Sequence, residues 1–124
     1  VINGVSTSVK TLVCEMARNG ASSLIVAPEY PGFTDDPRDL PDAVTVRRVP
    51  SWRLWVNPEY PFAFPPLPAP LPLPAGYRDE PFDVVHTQQP FGIGLHGAEA
   101  ARRRRVPLVS TFHTLYTEYA HYVP

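Results

Sequence analysis

Phe82–Asp83–Val84–Val85–His86–Thr87–Gln88–Gln89–Pro90–Phe91 and Pro107–Leu108–Val109–Ser110–Thr111–Phe112–His113–Thr114 are two versions of one pattern, a short apolar run that ends in a histidine. Short apolar runs separated by a helix-sized segment read as parallel strands joined by a crossover helix. The intervening Phe91–Arg104 fits that helix. Gly94, Gly97, Ala98 and Ala101 give it a small-residue face that can lie close to a sheet. Arg102 to Arg105 fall at its C-terminus, where the helix dipole favours positive charge. Ligands of open α/β sheets sit outside the carboxyl ends of the strands, so both histidines land where ligand contact is expected.

Working outward, Val5, Val9, Leu12, Val13 and Met16 keep the spacing of one helix face, with Asn3 or Ser6 as cap and Gly20 as stop. Ser22–Ala27 reads as a strand, Glu29–Asp42 as a polar loop, and Val44–Val49 as a half-exposed alternating strand. From Pro50 to Pro81 the pattern dissolves. Eight prolines lie from Pro58 to Pro74, and proline neither donates to a ladder nor fits a helix interior. An extended surface loop over about 50–81 is the expectation. The resulting order is helix, strand, strand, loop, strand, helix, strand, an α/β domain with a mostly parallel sheet.

Bulk properties narrow the function classes. The 124 residues suffice for one modest domain, and a net charge of −1 supplies no global field for nucleic acid. A lone cysteine excludes an internal disulfide and fits a reducing compartment. Cys14 shares its helix with Leu12 and Met16 and reads as core packing. No apolar run approaches the roughly 20 residues of a membrane span. Both ends read as cut: no strand precedes Val1–Val5, and Ala120–Pro124 stop inside a patterned aromatic segment.

Each candidate site residue has a plain structural alternative. Gly4 at a helix entrance either brings amide N–H groups to an anion or makes a simple turn. His86 can bond a sugar hydroxyl, orient a neighbour, or be buried and satisfied. Gln88 and Gln89 add amide donors and acceptors that suit polyhydroxyl ligands. His113 can donate to a developing charge or hold a hydroxyl nucleophile. A metal site at His86, His113 and His121 lacks the close spacing of zinc motifs, and no G-x-S-x-G elbow marks a hydrolase. Tyr116, Tyr119 and Tyr122 recur every three residues, as a packed aromatic face or as a partly wet surface for a lipid or sugar acceptor. The arginine run, with Arg47 and Arg48, reads first as solvated charge and second as a contact for anionic lipid. Leu67–Pro74 either crosses the surface or serves as a polyproline ligand, which leaves a non-catalytic α/β binding module as the alternative function.

Taken together, Asn3–Gly4–Val5 with Ser8, Val49–Pro50–Ser51, Asn57–Tyr60, Phe82–His86, Pro90–Phe91, Gly94 and Val106–Thr114 resemble the N-terminal domain of glycosyltransferase family 4, retaining enzymes of the GT-B fold. Tyr116–Tyr122 is similar to the branch that glycosylates lipids such as diacylglycerol and phosphatidylinositol. The resemblance implies a partial Rossmann-like acceptor-side domain over 1–124, without the first strand and the C-terminal domain, and inactive alone. It implies transfer of a hexose from a nucleotide-sugar co-substrate, with no other cofactor and no metal, to a lipid or other hydroxyl acceptor. Gly4 and Asn3 would approach the donor diphosphate, and His113 would stabilise the departing charge. His86, Gln88 and Phe91 would shape the acceptor side, and Tyr116 and Tyr119 its entrance. A cytoplasmic protein in peripheral contact with the inner face of the cell membrane follows from the same likeness. Leu67–Pro74 is richer in proline than the family leads one to expect.

Overall fold

The computed structural model describes residues 4–30, 32–54, 57–62, 81–89 and 92–113. It divides into two compact units, residues 1–80 and 81–124.

The first unit opens with α1 (Gly4–Arg18), whose apolar spacing buries Val13 and leaves Val5 and Leu12 on the surface. Gly20 stops it at φ +84°, a left-handed turn that glycine adopts without a Cβ penalty. The Ala21 N–H then donates to the Met16 carbonyl at 3.0 Å, which satisfies one of the helix's last acceptors. Strands β1 (Ser23–Pro28) and β2 (Val44–Val49) pair in parallel from Ser23↔Val44 to Pro28↔Val49. A parallel pair needs a long connection. Here the polar loop fills it, with a 3-10 turn over Pro37–Asp39 in place of a crossover helix. Asp36 caps that turn by accepting from the Arg38 N–H at 3.0 Å.

The expectation of a structureless stretch from Pro50 onward is too broad. β3 (Trp52–Leu54) and β4 (Asn57–Phe62) form an antiparallel pair, Trp52↔Phe62 and Leu54↔Asn57, with an irregular register between them. Trp, Tyr and Phe favour strands, and in a two-stranded ribbon both strands are edges, where Pro58 and Pro61 need not donate. The proline-rich stretch 63–80 lies outside the described residues.

In the second unit β5 (Val85–Thr87) and β6 (Leu108–Ser110) run parallel, Val85↔Leu108 to Thr87↔Ser110, joined by α2 (Ile93–Arg104). This is the strand–helix–strand unit that the repeated pattern implied. Both strands are shorter than the apolar runs: Phe82–Val84 and Thr111–Phe112 fall outside the ladder, and the expected buried strand carries an exposed His86. The small-residue face does bring the helix close. A Cβ on Gly97 would lie 2.7 Å from Thr87 Cγ2, and one on Gly94 would lie against the Gln89 carbonyl. Gly94, Ala100 and Ala101 are buried.

The basic C-terminus of α2 is organised by one acid. Glu99 pairs with Arg102 and Arg103, each at 2.7 Å, while Arg105 closes the helix in the left-handed region at φ 57°. Hydrogen bonds from Arg102, then Arg103, pull the Glu99 carboxyl from an ordinary 4.5 down to about 2. The folded value lies below the unfolded one, so any stabilisation is complete above pH 4.5 and lost as pH falls through about 2. All three side chains are solvent-exposed, and such pairs contribute little to stability. A carboxyl ¹³C titration is expected to give Glu99 a midpoint near 2, returning toward 4.5 when Arg102 and Arg103 are replaced by glutamine.

Candidate functional site

Alternation along β5 sorts its side chains. Val85 and Thr87 face α2, and Thr87 is buried there with its hydroxyl 2.8 Å from Ser110 Oγ. His86 and Gln88 therefore fall on the opposite face. Two cross-strand bonds repeat on it at the same sequence offset: His86 Nε2 lies 2.7 Å from Thr111 Oγ1, and His113 Nε2 lies 2.8 Å from Gln88 Oε1. The second pair lies beyond the carboxyl ends of the parallel strands, and the first reaches from the middle of β5 to the residue after β6.

The two imidazoles thus share one solvent-facing rim, although neither ends a strand. His86 occupies the middle of β5, and His113 comes three residues after Ser110, the end of β6. The amide oxygen of Gln88 can only accept, so His113 donates from Nε2. Val109 and Phe112 are exposed apolar side chains of the same segment. The rim offers imidazole, amide and hydroxyl hydrogen bonds, a chemistry suited to a polyhydroxyl ligand.

Gly4 is the first residue of α1 and is exposed; a methyl placed on it would meet nothing within 4 Å. It lies in the other unit from His113. Asn3, Phe91, Tyr116, Tyr119 and Tyr122 lie outside the described residues, as does the peptide Leu67–Pro74. Among the described residues no three His, Cys, Asp or Glu side chains gather as a metal site would require. Cys14 is half-buried on α1.

One arrangement escaped the sequence reading. At the carboxyl ends of β1 and β2, Arg48 donates from Nε and Nη2 to Asp35 at 2.8 and 2.7 Å, and from Nη1 to the Pro28 carbonyl at 3.0 Å. Its guanidinium lies 5.4 Å from the centre of the Phe33 ring. The hydrogen bonds from Arg48 hold the Asp35 carboxyl below its usual range. The signal was present in the alternation: Arg48 is in step with Val44 and Val46, the inward face of β2, whereas Arg47 is out of step and exposed.

A parallel strand–helix–strand unit is the fold the family likeness implied, and a whole-chain comparison identifies that family. The family model of Glycosyltransferase Family 4 matches residues 2–124. The chain belongs to Glycosyltransferase Family 4. Its α/β build, with parallel strands and flanking helices, is consistent with the N-terminal part of a GT-B glycosyltransferase. It is similar to an alpha-monoglucosyldiacylglycerol synthase of Streptococcus pneumoniae, 30% identical over 98% of this chain and 26% of the relative. It is also similar to a GDP-mannose-dependent alpha-mannosyltransferase of Mycobacterium tuberculosis, 35% identical over 91% of this chain and 29% of the relative. A shorter stretch, 33% of the chain, is 46% identical to 10% of an alpha-monoglucosyldiacylglycerol synthase of Acholeplasma laidlawii. The chain spans roughly a quarter of the length of the relatives that it matches along most of its own length. No solved structure matches it.

Proposed function

We propose that the whole protein transfers a hexose from a nucleotide-sugar to a lipid or other hydroxyl acceptor, with retention at the anomeric carbon. The observation that carries this reading is the family match over residues 2–124, with relatives named for a glucosyl lipid product and for a GDP-mannose donor. In the transfer, the bond from the anomeric carbon to the diphosphate oxygen breaks. A bond from that carbon to the acceptor oxygen forms on the same face, and the acceptor proton leaves with the diphosphate or to water.

His113 stands beside the transferred sugar and offsets charge on the departing diphosphate. His86, Gln88 and Phe91 shape the acceptor side, Tyr116 and Tyr119 border its entrance, and Asn3 and Gly4 approach the diphosphate. Such chemistry is largely placement and fixed electrostatics. A lipid acceptor would bring the protein to a membrane surface from the cytoplasmic side. Among the described residues no helix is long and apolar enough to cross a membrane.

The test is to supply the full-length protein with labelled UDP- and GDP-hexoses and with diacylglycerol, glucosyldiacylglycerol or phosphatidylinositol in vesicles. Labelled glycolipid of unchanged anomeric configuration is the expected product. Absence of transfer to every acceptor would overturn the reading.

A further inference from the structure

On the face of the β5–β6 pair turned away from α2, Thr111 is tied to β5 twice. Its N–H donates to the Thr87 carbonyl at 2.9 Å, which carries the parallel ladder one step beyond Ser110. The neighbouring Ser110 hydroxyl lies 2.8 Å from that of Thr87 on the α2 side. With the backbone held on both counts, half-buried Thr111 presents its hydroxyl from a fixed point, 2.7 Å from His86 Nε2. Branching at Cβ narrows the side-chain rotamers further.

The ring that receives this bond is the one that needs it. His86 stands exposed in the middle of β5, and an exposed imidazole without a partner samples several rotamers. Ordering such a side chain at the moment of binding costs free energy, and a bond made beforehand removes that cost. A hydroxyl suits the task. The amide oxygen of Gln88 only accepts and so requires a hydrogen on His113 Nε2, whereas a hydroxyl both donates and accepts. Thr111 can therefore hold His86 Nε2 with or without its proton. It sets where the ring stands and leaves the tautomer free.

We propose that Thr111 is a positioning residue for the transfer, its hydroxyl orienting the His86 imidazole on the rim before an acceptor arrives. The consequence for transfer rests on the function proposed above, whereas the hold on the ring does not. Thr111 touches no substrate in this role; it acts through His86.

Histidine labelled with ¹⁵N in the full-length protein reads the ring without turnover. Thr111→Val keeps the shape and the backbone N–H but loses the hydroxyl. It is expected to shift the His86 Nε2 resonance and leave that of His113 in place, and Thr111→Ser should restore the wild-type spectrum. In the transfer assay above, on whichever of its lipids is glycosylated, Thr111→Val should raise the acceptor KM about three- to tenfold and the donor KM less than about twofold. Thr111→Ser should stay close to wild type. In a His86→Ala background Thr111→Val should add nothing, since its effect passes through that ring. An unmoved His86 resonance in Thr111→Val would overturn the proposal. So would a rise in acceptor KM that persists without His86, or a loss of stability with no change in KM. If no lipid is glycosylated, the function proposed above fails, and the spectrum still decides whether Thr111 holds the ring.

Discussion

Replacing His113 by alanine in the full-length protein is expected to lower kcat by about 10²- to 10³-fold, with donor-nucleotide affinity changed less than about twofold. The expectation follows from the way the ring is held. Gln88 Oε1 accepts from Nε2 at 2.8 Å, which fixes the imidazole plane, and a second proton on Nδ1 is what lets the ring donate to the departing charge. A loss of that size corresponds to about 3–4 kcal/mol of transition-state stabilisation, the scale of one well-placed donor to a developing charge. Gln88 is then a positioning residue. Gln88→Ala should cost about tenfold in kcat with little change in KM, and Gln88→Glu, which keeps an acceptor oxygen, should recover most of it. Unchanged turnover in His113→Ala would remove the imidazole from the reaction. Equal losses in Gln88→Ala and Gln88→Glu would remove Gln88 from its positioning role.

The parts of the molecule that were legible in the sequence are those held by local pattern. The strand–helix–strand unit announced itself through two apolar runs and a glycine–alanine helix face, because close helix packing demands small residues at a fixed period. Val44–Val49 was legible to the residue, since alternation with period two has a sharp edge where Pro50 follows. The strand limits at Phe82 and Phe112 were overextended for a physical reason: a ladder is only as long as its partner, and β6 offers three residues. The β3–β4 ribbon was hidden because proline outweighed its aromatic neighbours, although an edge strand tolerates both. That Arg48 turns inward follows from the alternation of β2, but its partner Asp35 could not be read from spacing. The two are 13 residues apart and meet only because β1 and β2 lie side by side. The candidate rim was half legible. That His86 and His113 lie near strand ends follows from pattern, but their partners Thr111 and Gln88 follow from register, which no single strand contains.

The largest structural effect is expected at Gly94, where alanine should destabilise the second unit by about 2–3 kcal/mol. A methyl there would overlap the Gln89 carbonyl group, which belongs to the backbone and cannot swing aside as a side-chain tip would. Alanine's better helix propensity, worth about 1 kcal/mol, offsets only part of that cost. Gly97→Ala supplies the intermediate case. Its methyl would meet Thr87 Cγ2 at 2.7 Å, and Thr87 is both β-branched and tied to Ser110 through its hydroxyl, so it yields only slightly. Gly4→Ala, with nothing within 4 Å, is the neutral control. Amide hydrogen exchange within α2 of the full-length protein reads the series directly, with protection falling in the order Gly4→Ala, Gly97→Ala, Gly94→Ala. If Gly94→Ala left the α2 amides as protected as Gly4→Ala does, the close seating of the helix on the Val85–Gln89 segment would be wrong. Since Gln88 lies next to the carbonyl that Gly94 must clear, the same substitution should also loosen the grip of Gln88 on His113. Transfer should then fall in Gly94→Ala without any change to a group that touches substrate.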